Sequence, residues 1–196
     1  MMMIRAQLRP ALVLTALFVV GTGLAYPAAV TALAQAIFPR QANGSLVVRN
    51  GTPVGSALIG QQFASPAYFH ARPSAAGAGY DATASGGNNK GPSDRKLADT
   101  LVAGAVAAAI TNDGGTKGAI PADYATSSAS GLDPHISPAN AALQVARVAR
   151  ARGVAPDAVS ALVANHTEPR QFGLLGEPRV NVLLLNLAVD SAFRAP

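Results

Sequence analysis

The side chains that could bind a metal or transfer a proton are few and widely separated in this chain of 196 residues. Its only histidines are His70, His135 and His166, and no two of them have HxH or HExxH spacing. Cysteine is absent, which excludes thiolate zinc sites, cysteine catalysis and disulfides. The sequence therefore favours isolated loop histidines, and we interpret Asp133-Pro134-His135 as a hydrogen-bonded loop rather than an acid–base pair.

No serine has the sequence context of a hydrolase nucleophile. The chain contains neither a GxSxG elbow nor an SxxK followed by KTG, and its acidic residues are scattered singly. The sequence therefore predicts a protein that is not an autonomous enzyme. Two other classes remain open: a membrane-anchored extracytoplasmic hydrolase that uses a loop serine, and a solute-binding or cell-envelope module.

One loop has a composition that suits phosphate. Ser85, Gly86, Gly87, Asn88 and Asn89 are small or turn-forming, and Lys90 follows them. Backbone N–H groups of such a loop can converge on an anion. The same composition also builds ordinary turns, so both interpretations stay open at this point.

Two helices and a hairpin are predicted to frame these loops. The strands 45–48 and 54–59 flank Asn50-Gly51, a strong hairpin signal because both residues tolerate positive φ. Apolar residues at helical spacing predict a helix over 97–110. The clearest helix begins with Ser137 as N-cap and Pro138 as its first residue, and it ends before Gly153. A short helix is predicted over 156–164. The last element, 178–193, could start as a strand at 180–182 but fits a helix better, and 118–134 is predicted to be a loop.

The polar face of the clearest helix holds the candidate docking side chains. Gln144, Arg147 and Arg150 follow one another at intervals of three residues, which places them on one side of a helix. They are predicted either to contact a partner or, with Arg152, to form a solvated face.

The N-terminal part of the chain predicts a membrane span. No charged residue lies between Pro10 and Pro39, and 11–37 is almost continuously apolar, longer than the roughly 20 residues a span needs. Pro27 should distort the helix locally. A cleaved signal peptide is the alternative, but its apolar region is usually only about 7–15 residues long.

The charges beside the span predict its orientation. Arg5 and Arg9 precede it with no acidic partner, so the N-terminus is expected in the cytoplasm. The predicted organisation is a cytoplasmic segment 1–10, a transmembrane helix 11–37 and a single mixed α+β extracytoplasmic domain 41–196.

The positive net charge of +5 does not indicate nucleic-acid binding. Three of the 15 basic residues and none of the 10 acidic ones lie in the first forty positions, so the remainder has a net charge of only +2. No run of Lys and Arg interleaves with aromatic residues, as a nucleic-acid surface would require.

Several long motifs closely resemble the KdpC family, the small C subunit of the Kdp potassium-transporting P-type ATPase. They are LRP at 8–10, GSALIGQ at 55–61, YFH at 68–70, RPSA at 72–75, ASGG at 84–87, SGLDPHISP at 130–138, RVA at 147–149, ARG at 151–153, GEPRVNV at 176–182 and LNLA at 185–188. The resemblance covers roughly residues 8 to 190.

The resemblance implies a non-catalytic subunit of an inner-membrane pump that imports potassium at the expense of ATP. Its implied partners are a potassium-selective channel-like subunit, a P-type ATPase subunit and a small membrane peptide. It also implies a proposed role as a catalytic chaperone that raises the affinity of the ATPase subunit for ATP. The residues implied for nucleotide contact are Ser85, Gly86, Gly87, Asn89 and Gln144, and those expected to bind partners are Asp133, His135, Arg147 and Arg150.

The expected topology and the implied ATP contact conflict, because a domain outside the cytoplasm cannot meet cytoplasmic ATP. The apolar span and its flanking arginines are direct physical constraints, whereas the nucleotide role depends on one short loop. The sequence therefore favours a structural role at the potassium entrance.

Overall fold

The computed structural model describes residues 2–193, with side chains from residue 6 onward. The chain forms two compact units, Met1–Leu46 and Val47–Pro196. The predictions above also concern Met1, residues 194–196 and the side chain of Arg5. These lie outside the described part of the chain, so the structure leaves the predictions about them unchanged.

The first unit contains one long apolar helix. It comprises α1 (Met2–Phe18), a π-helical segment (Val19–Ala25) and α2 (Tyr26–Ile37), and a short helix α3 (Pro39–Ala42) follows. The stretch Ala6–Ile37 has 32 residues, and an 18-residue window within it has a mean hydropathy of 1.8 and no residue buried in the described part of the chain. At about 1.5 Å per residue it measures about 48 Å, enough to cross a bilayer core of roughly 30 Å. The boundaries 11–37 for the span remain a prediction.

The distortion predicted near Pro27 appears as a π-helical widening just before it. Proline has no N–H to donate, and its ring crowds the carbonyl four residues earlier, here that of Gly23. In this segment Tyr26 donates to the carbonyl of Gly21, five residues back. The hydroxyl of Thr22 also donates to the carbonyl oxygen of Phe18 at 2.6 Å.

The predicted hairpin is present, with its first strand shifted by one residue and its second strand shorter and earlier than predicted. β1 (Leu46–Arg49) and β2 (Thr52–Ser56) form a two-stranded sheet. Asn50 and Gly51 have φ of 52° and 80°, as a two-residue turn with two positive φ angles requires.

The second unit is built mainly from helices. A π-helical segment (Leu97–Val102) continues into α4 (Ala103–Asp113), three residues beyond the predicted end, and Gly114 at φ 71° terminates it. A short helix α5 (Ala122–Ala125) lies in the predicted loop 118–134. The three helices predicted after residue 137 are confirmed as α6 (Pro138–Arg152), α7 (Pro156–Asn165) and α8 (Val182–Ala192).

Three very short strands complete the domain. β3 (His135–Ile136) and β4 (Thr167–Glu168) pair antiparallel with opposite edges of β5 (Arg179–Asn181). The last predicted element, 178–193, therefore begins as a strand and continues as helix α8.

The core consists mainly of aliphatic side chains around α6. Helix α6 packs against α4, α7 and β5, and α8 packs against α7 and β5. The core residues are Phe69, Ile136, Ala141, Val145, Val148, Ala149, Val159, Val163, Val180, Val182, Leu185 and Val189. The fold is α+β, as predicted.

Candidate functional site

The N-terminus of α6 is fixed by a polar clamp. Ser137 accepts a hydrogen bond from the backbone N–H of Asn140 at 3.0 Å, which confirms its role as N-cap. Asp123 of α5 accepts from the backbone and hydroxyl of Ser137 and from the side chain of Asn140, at 2.7 to 3.0 Å. This clamp sets the position of the α6 side chains described next.

Residues 66–70, which begin in a turn, are called the strap here. The N–H of Tyr68 donates to the carbonyl of Ser65 at 3.2 Å, and most of the other backbone groups of the strap pair with side chains rather than with a neighbouring strand. Gln144 accepts from the N–H of His70 at 2.7 Å and donates to its carbonyl at 3.1 Å. Asn186 of α8 does the same for Phe69, at 2.8 and 2.9 Å. Both amides are 1% exposed, so they stand in for strand pairing inside the protein.

Arg147 joins the strap to α4. Its Nε donates to Oδ1 of Asp113 at 2.7 Å, and its Nη1 donates to the carbonyls of Pro66 and Tyr68, both at 2.8 Å. Nη2 donates to Oε1 of Gln144 at 2.7 Å. Both side chains of the ion pair are buried, so the alternative of a solvated face is wrong for Arg147. The guanidinium of Arg147 thus supplies the hydrogen bonds that water would otherwise donate to these carbonyls of the strap.

Arg152 is likewise buried, against the expectation of a solvated face. Its guanidinium donates to the carbonyl of Ala67 at 3.0 Å and to Asp190 at 2.7 Å, and it lies 4.7 Å from the ring centre of Tyr68. Burial alone would raise the pKa of Asp190. Hydrogen bonds from Arg152, Tyr68 and Arg49 outweigh it and hold that pKa below its usual value.

The predicted hydrogen-bonded loop at Asp133 is confirmed. Asp133 accepts from the backbone N–H of His135 at 2.9 Å and from Arg72 at 3.0 Å. Burial would raise the pKa of Asp133, but the hydrogen bonds from His135 and Arg72 hold it below its usual value. The same residues line an open cavity of about 450 Å³ that also includes Glu177 and Arg179.

The candidate phosphate loop packs against a second loop, residues 127–131. Ser85 and the N–H of Gly86 both donate to the carbonyl of Ser130, at 3.0 and 2.9 Å. The amide of Asn88 donates to the hydroxyl of Ser127 at 2.7 Å. One N–H and two side chains of the loop are therefore already engaged within the domain.

A cavity of about 350 Å³ lies where these two loops meet. Its lining includes Gly87, Asn89, Lys90 and Ser128, but not Gln144. The ammonium of Lys90 pairs with Asp94 at 3.0 Å. The structure therefore separates the implied nucleotide residues into two environments, an exposed loop and the buried strap contact of Gln144.

Comparison with known proteins identifies the family. A family model described as KdpC, the c chain of the K+-transporting ATPase, matches residues 8–191. The potassium-transporting ATPase KdpC subunit of Gemmatimonas aurantiaca is 63% identical over 186 residues, covering 94% of this chain and 92% of that protein. The corresponding subunits of Rhodospirillum rubrum and Caulobacter vibrioides NA1000 are 58% and 57% identical, with 95% and 96% of this chain and 96% and 94% of those proteins covered.

The chain belongs to the KdpC family. Since the family is described as the c chain of the K+-transporting ATPase, this chain is an accessory subunit of a potassium-transport complex. No group of three His, Cys, Asp or Glu residues that could hold a metal ion occurs in the described part of this KdpC-family chain.

The residues predicted to bind partners occupy different environments in this KdpC-family chain. Arg150 is exposed, Asp133 and His135 are partly exposed, and Arg147 is buried. Gln144 and Arg147 therefore reach a partner or nucleotide only if the strap moves. Their binding roles remain predictions.

Three structural residues were not anticipated from the sequence. Asn186 is a lone amide in the otherwise apolar start of α8, which is a signal for a buried hydrogen bond. Asp113 lies beside the helix-ending Gly114, and nothing in the sequence pairs it with Arg147. Phe172 lies between Gln171 and Gly173, and at 89% it is the most exposed large hydrophobic side chain among the residues whose side chains the structure describes.

Proposed function

We propose that the chain is a non-catalytic, membrane-anchored subunit that assembles and stabilises an ATP-driven potassium importer. The observation that carries this proposal is the use of its most distinctive polar side chains. Gln144, Arg147, Arg152 and Asn186 all hold the strap in place. Such a network fixes one shape of a domain, which suits a docking part better than a reaction centre.

The exposed apolar helix supports the membrane part of the proposal. Its most apolar window has no buried residue in the described part of the chain, and lipid or another membrane helix would cover those side chains. Arg9 precedes the apolar run without an acidic partner, so we propose a cytoplasmic N-terminus in the inner membrane and an extracytoplasmic second unit. The proposed partners are a channel-like potassium-selective subunit, a P-type ATPase subunit and a small membrane peptide, with the domain at the potassium entrance.

A catalytic-chaperone role that raises ATP affinity is the second candidate. The cavity beside Gly87 and Lys90 is the observation that favours it, because an anion could enter there. Direct contact with cytoplasmic ATP would require the second unit to lie in the cytoplasm. The proposed orientation excludes that contact, and ATP would then be bound by the ATPase subunit alone.

Deletion of the chain tests the assembly role. Cells that lack it should fail to grow at micromolar potassium, and the tagged ATPase subunit should no longer co-purify with the channel-like subunit. If the deletion strain still grows at micromolar potassium and its other subunits still co-purify, the proposal is contradicted. A serine-reactive probe distinguishes the remaining hydrolase alternative, because it would label the purified chain only in that case.

A further inference from the structure

A short loop, residues 171–176, presents three apolar side chains to solvent and is called the Phe172 loop here. Phe172 is 89% exposed, Leu174 75% and Leu175 56%. Single exposed apolar residues are common on proteins, but three within four positions form a patch.

The Phe172 loop is held in a defined shape. Gln171 and Leu175 exchange two backbone hydrogen bonds of 2.9 Å, and the N–H of Gly173 donates to the carbonyl of Arg170 at 3.0 Å. Below the loop, Arg170 pairs with both carboxylate oxygens of Glu177 at 2.6 and 2.7 Å. A preorganised apolar tip loses little conformational freedom when it binds.

The backbone at Phe172 makes this residue an unusual choice. Its φ is 55°, in the left-handed region that Gly and Asn adopt far more readily than a bulky side chain. The ring is also almost fully exposed, so within this chain it gains little burial to offset the strain. A strained and unburied aromatic residue is explained if its side chain is buried by something else.

The charges beneath the loop favour a protein partner over a lipid surface. Arg170 is paired with Glu177, and Arg179 is paired with Glu168. These two ion pairs beneath the loop therefore carry no excess positive charge to attract anionic lipid headgroups. An apolar centre with a charge-balanced polar rim is the usual composition of a protein–protein contact.

We propose that the Phe172 loop docks into an apolar groove on the extracytoplasmic surface of another subunit of the same potassium-transport complex. This inference depends on the proposed function and adds the contact surface to it. Phe172 provides the central anchor, and Leu174 and Leu175 pack around it.

Phe172→Asn tests the inference because it removes the ring while suiting the left-handed backbone. The detergent-solubilised chain should unfold at the same temperature as wild type or higher. The amount of chain that stays with the tagged complex in a wash series should fall about tenfold or more, as for other central aromatic anchors. Leu174→Ser should also weaken retention, whereas Leu58→Ser, at a separate residue that is 59% exposed, should not.

A photoreactive benzoylphenylalanine at position 172 identifies the occupant in intact membranes. A crosslink to another subunit of the complex supports the inference. A crosslink only to lipid, only to a second copy of the chain, or to nothing overturns it, as does a Phe172→Asn chain that assembles normally. If even the wild-type chain fails to co-purify with the complex, the proposed function itself is wrong, so the two failures are distinguishable.

Discussion

Gln144 and His70 exchange two hydrogen bonds, at 2.7 and 3.1 Å, across 74 positions of sequence. A side-chain amide of α6 thus completes the backbone of the strap as a neighbouring strand would. Gln144 also connects Asn140 and Arg147, at 2.8 and 2.7 Å. The residue that the family resemblance implies for nucleotide contact is therefore at the centre of a buried network.

Gln144→Ala should destabilise the chain by about 2–4 kcal/mol, because it leaves buried donors and acceptors of His70 without partners. Urea or thermal unfolding of the detergent-solubilised chain measures this. Arg150→Ala, on an exposed position of the same helix, is the matched control and should change the free energy of unfolding by less than about 0.5 kcal/mol. If Gln144 acted only by contacting nucleotide, the Gln144→Ala variant would instead have a lower affinity for ATP and an unchanged free energy of unfolding.

Arg147→Met should cost about 3–5 kcal/mol, because it leaves Asp113 buried without its charge partner. The double variant Asp113→Asn with Arg147→Met should be less destabilised than the sum of the single variants. Arg147→Lys should not restore stability, since one ammonium cannot reach Asp113, two carbonyls of the strap and Gln144 together. A double-mutant cycle by denaturant unfolding tests this, and full additivity would show that the pair is not coupled.

Adjacent glycines separate a packing role of the 85–89 loop from an anion-binding role. A Cβ at Gly87 would lie 2.8 Å from the carbonyl oxygen of Ala129, whereas a Cβ at Gly86 meets nothing within 4 Å. Gly87→Ala should therefore lower the melting temperature by several degrees, and Gly86→Ala should leave it nearly unchanged. Equal loss of ATP affinity in both variants, without loss of stability, would favour a nucleotide loop.

The stability of the domain should fall as the pH drops below about 6.5. Burial, and then the charge of Arg147, lower the pKa of His70. The unfolded chain therefore binds a proton at higher pH than the folded one, and this contribution to stability is present above the unfolded pKa and is lost as the pH falls through the folded pKa. Unfolding free energies between pH 8 and pH 5 should show this slope in wild type, and His70→Gln should flatten it. An unchanged slope in the variant would contradict the assignment.

Local signals predicted the regular elements well. Three of these signals act through neighbouring residues, so the sequence contains what is needed to locate them: the N-cap at Ser137, the turn at Asn50-Gly51 and Gly153, which ends α6. Strands β3 and β4 have only two residues each, which is too short for a periodic pattern.

The surroundings of the site residues were harder to predict. A polar residue on a helix is normally taken to face solvent, yet Arg147 and Arg152 are buried. Their partners, Asp113 and the strap, lie 34 to 85 positions away, and no local pattern connects them. Burial of this kind depends on tertiary packing, which the spacing of residues within one helix does not encode.

The side of the membrane on which the second unit lies is the central claim, and cysteine accessibility tests it most directly. The chain has no native cysteine, so Ser85→Cys, at an exposed position, and Gln7→Cys, before the span, each provide a single reporter. Cells with a permeabilised outer membrane, where one is present, are treated with a membrane-impermeant thiol reagent. We predict labelling of Ser85→Cys and protection of Gln7→Cys until the inner membrane is opened. Protection of Ser85→Cys with labelling of Gln7→Cys, or protection of both until that membrane is opened, would contradict the account and support a domain that can meet cytoplasmic ATP.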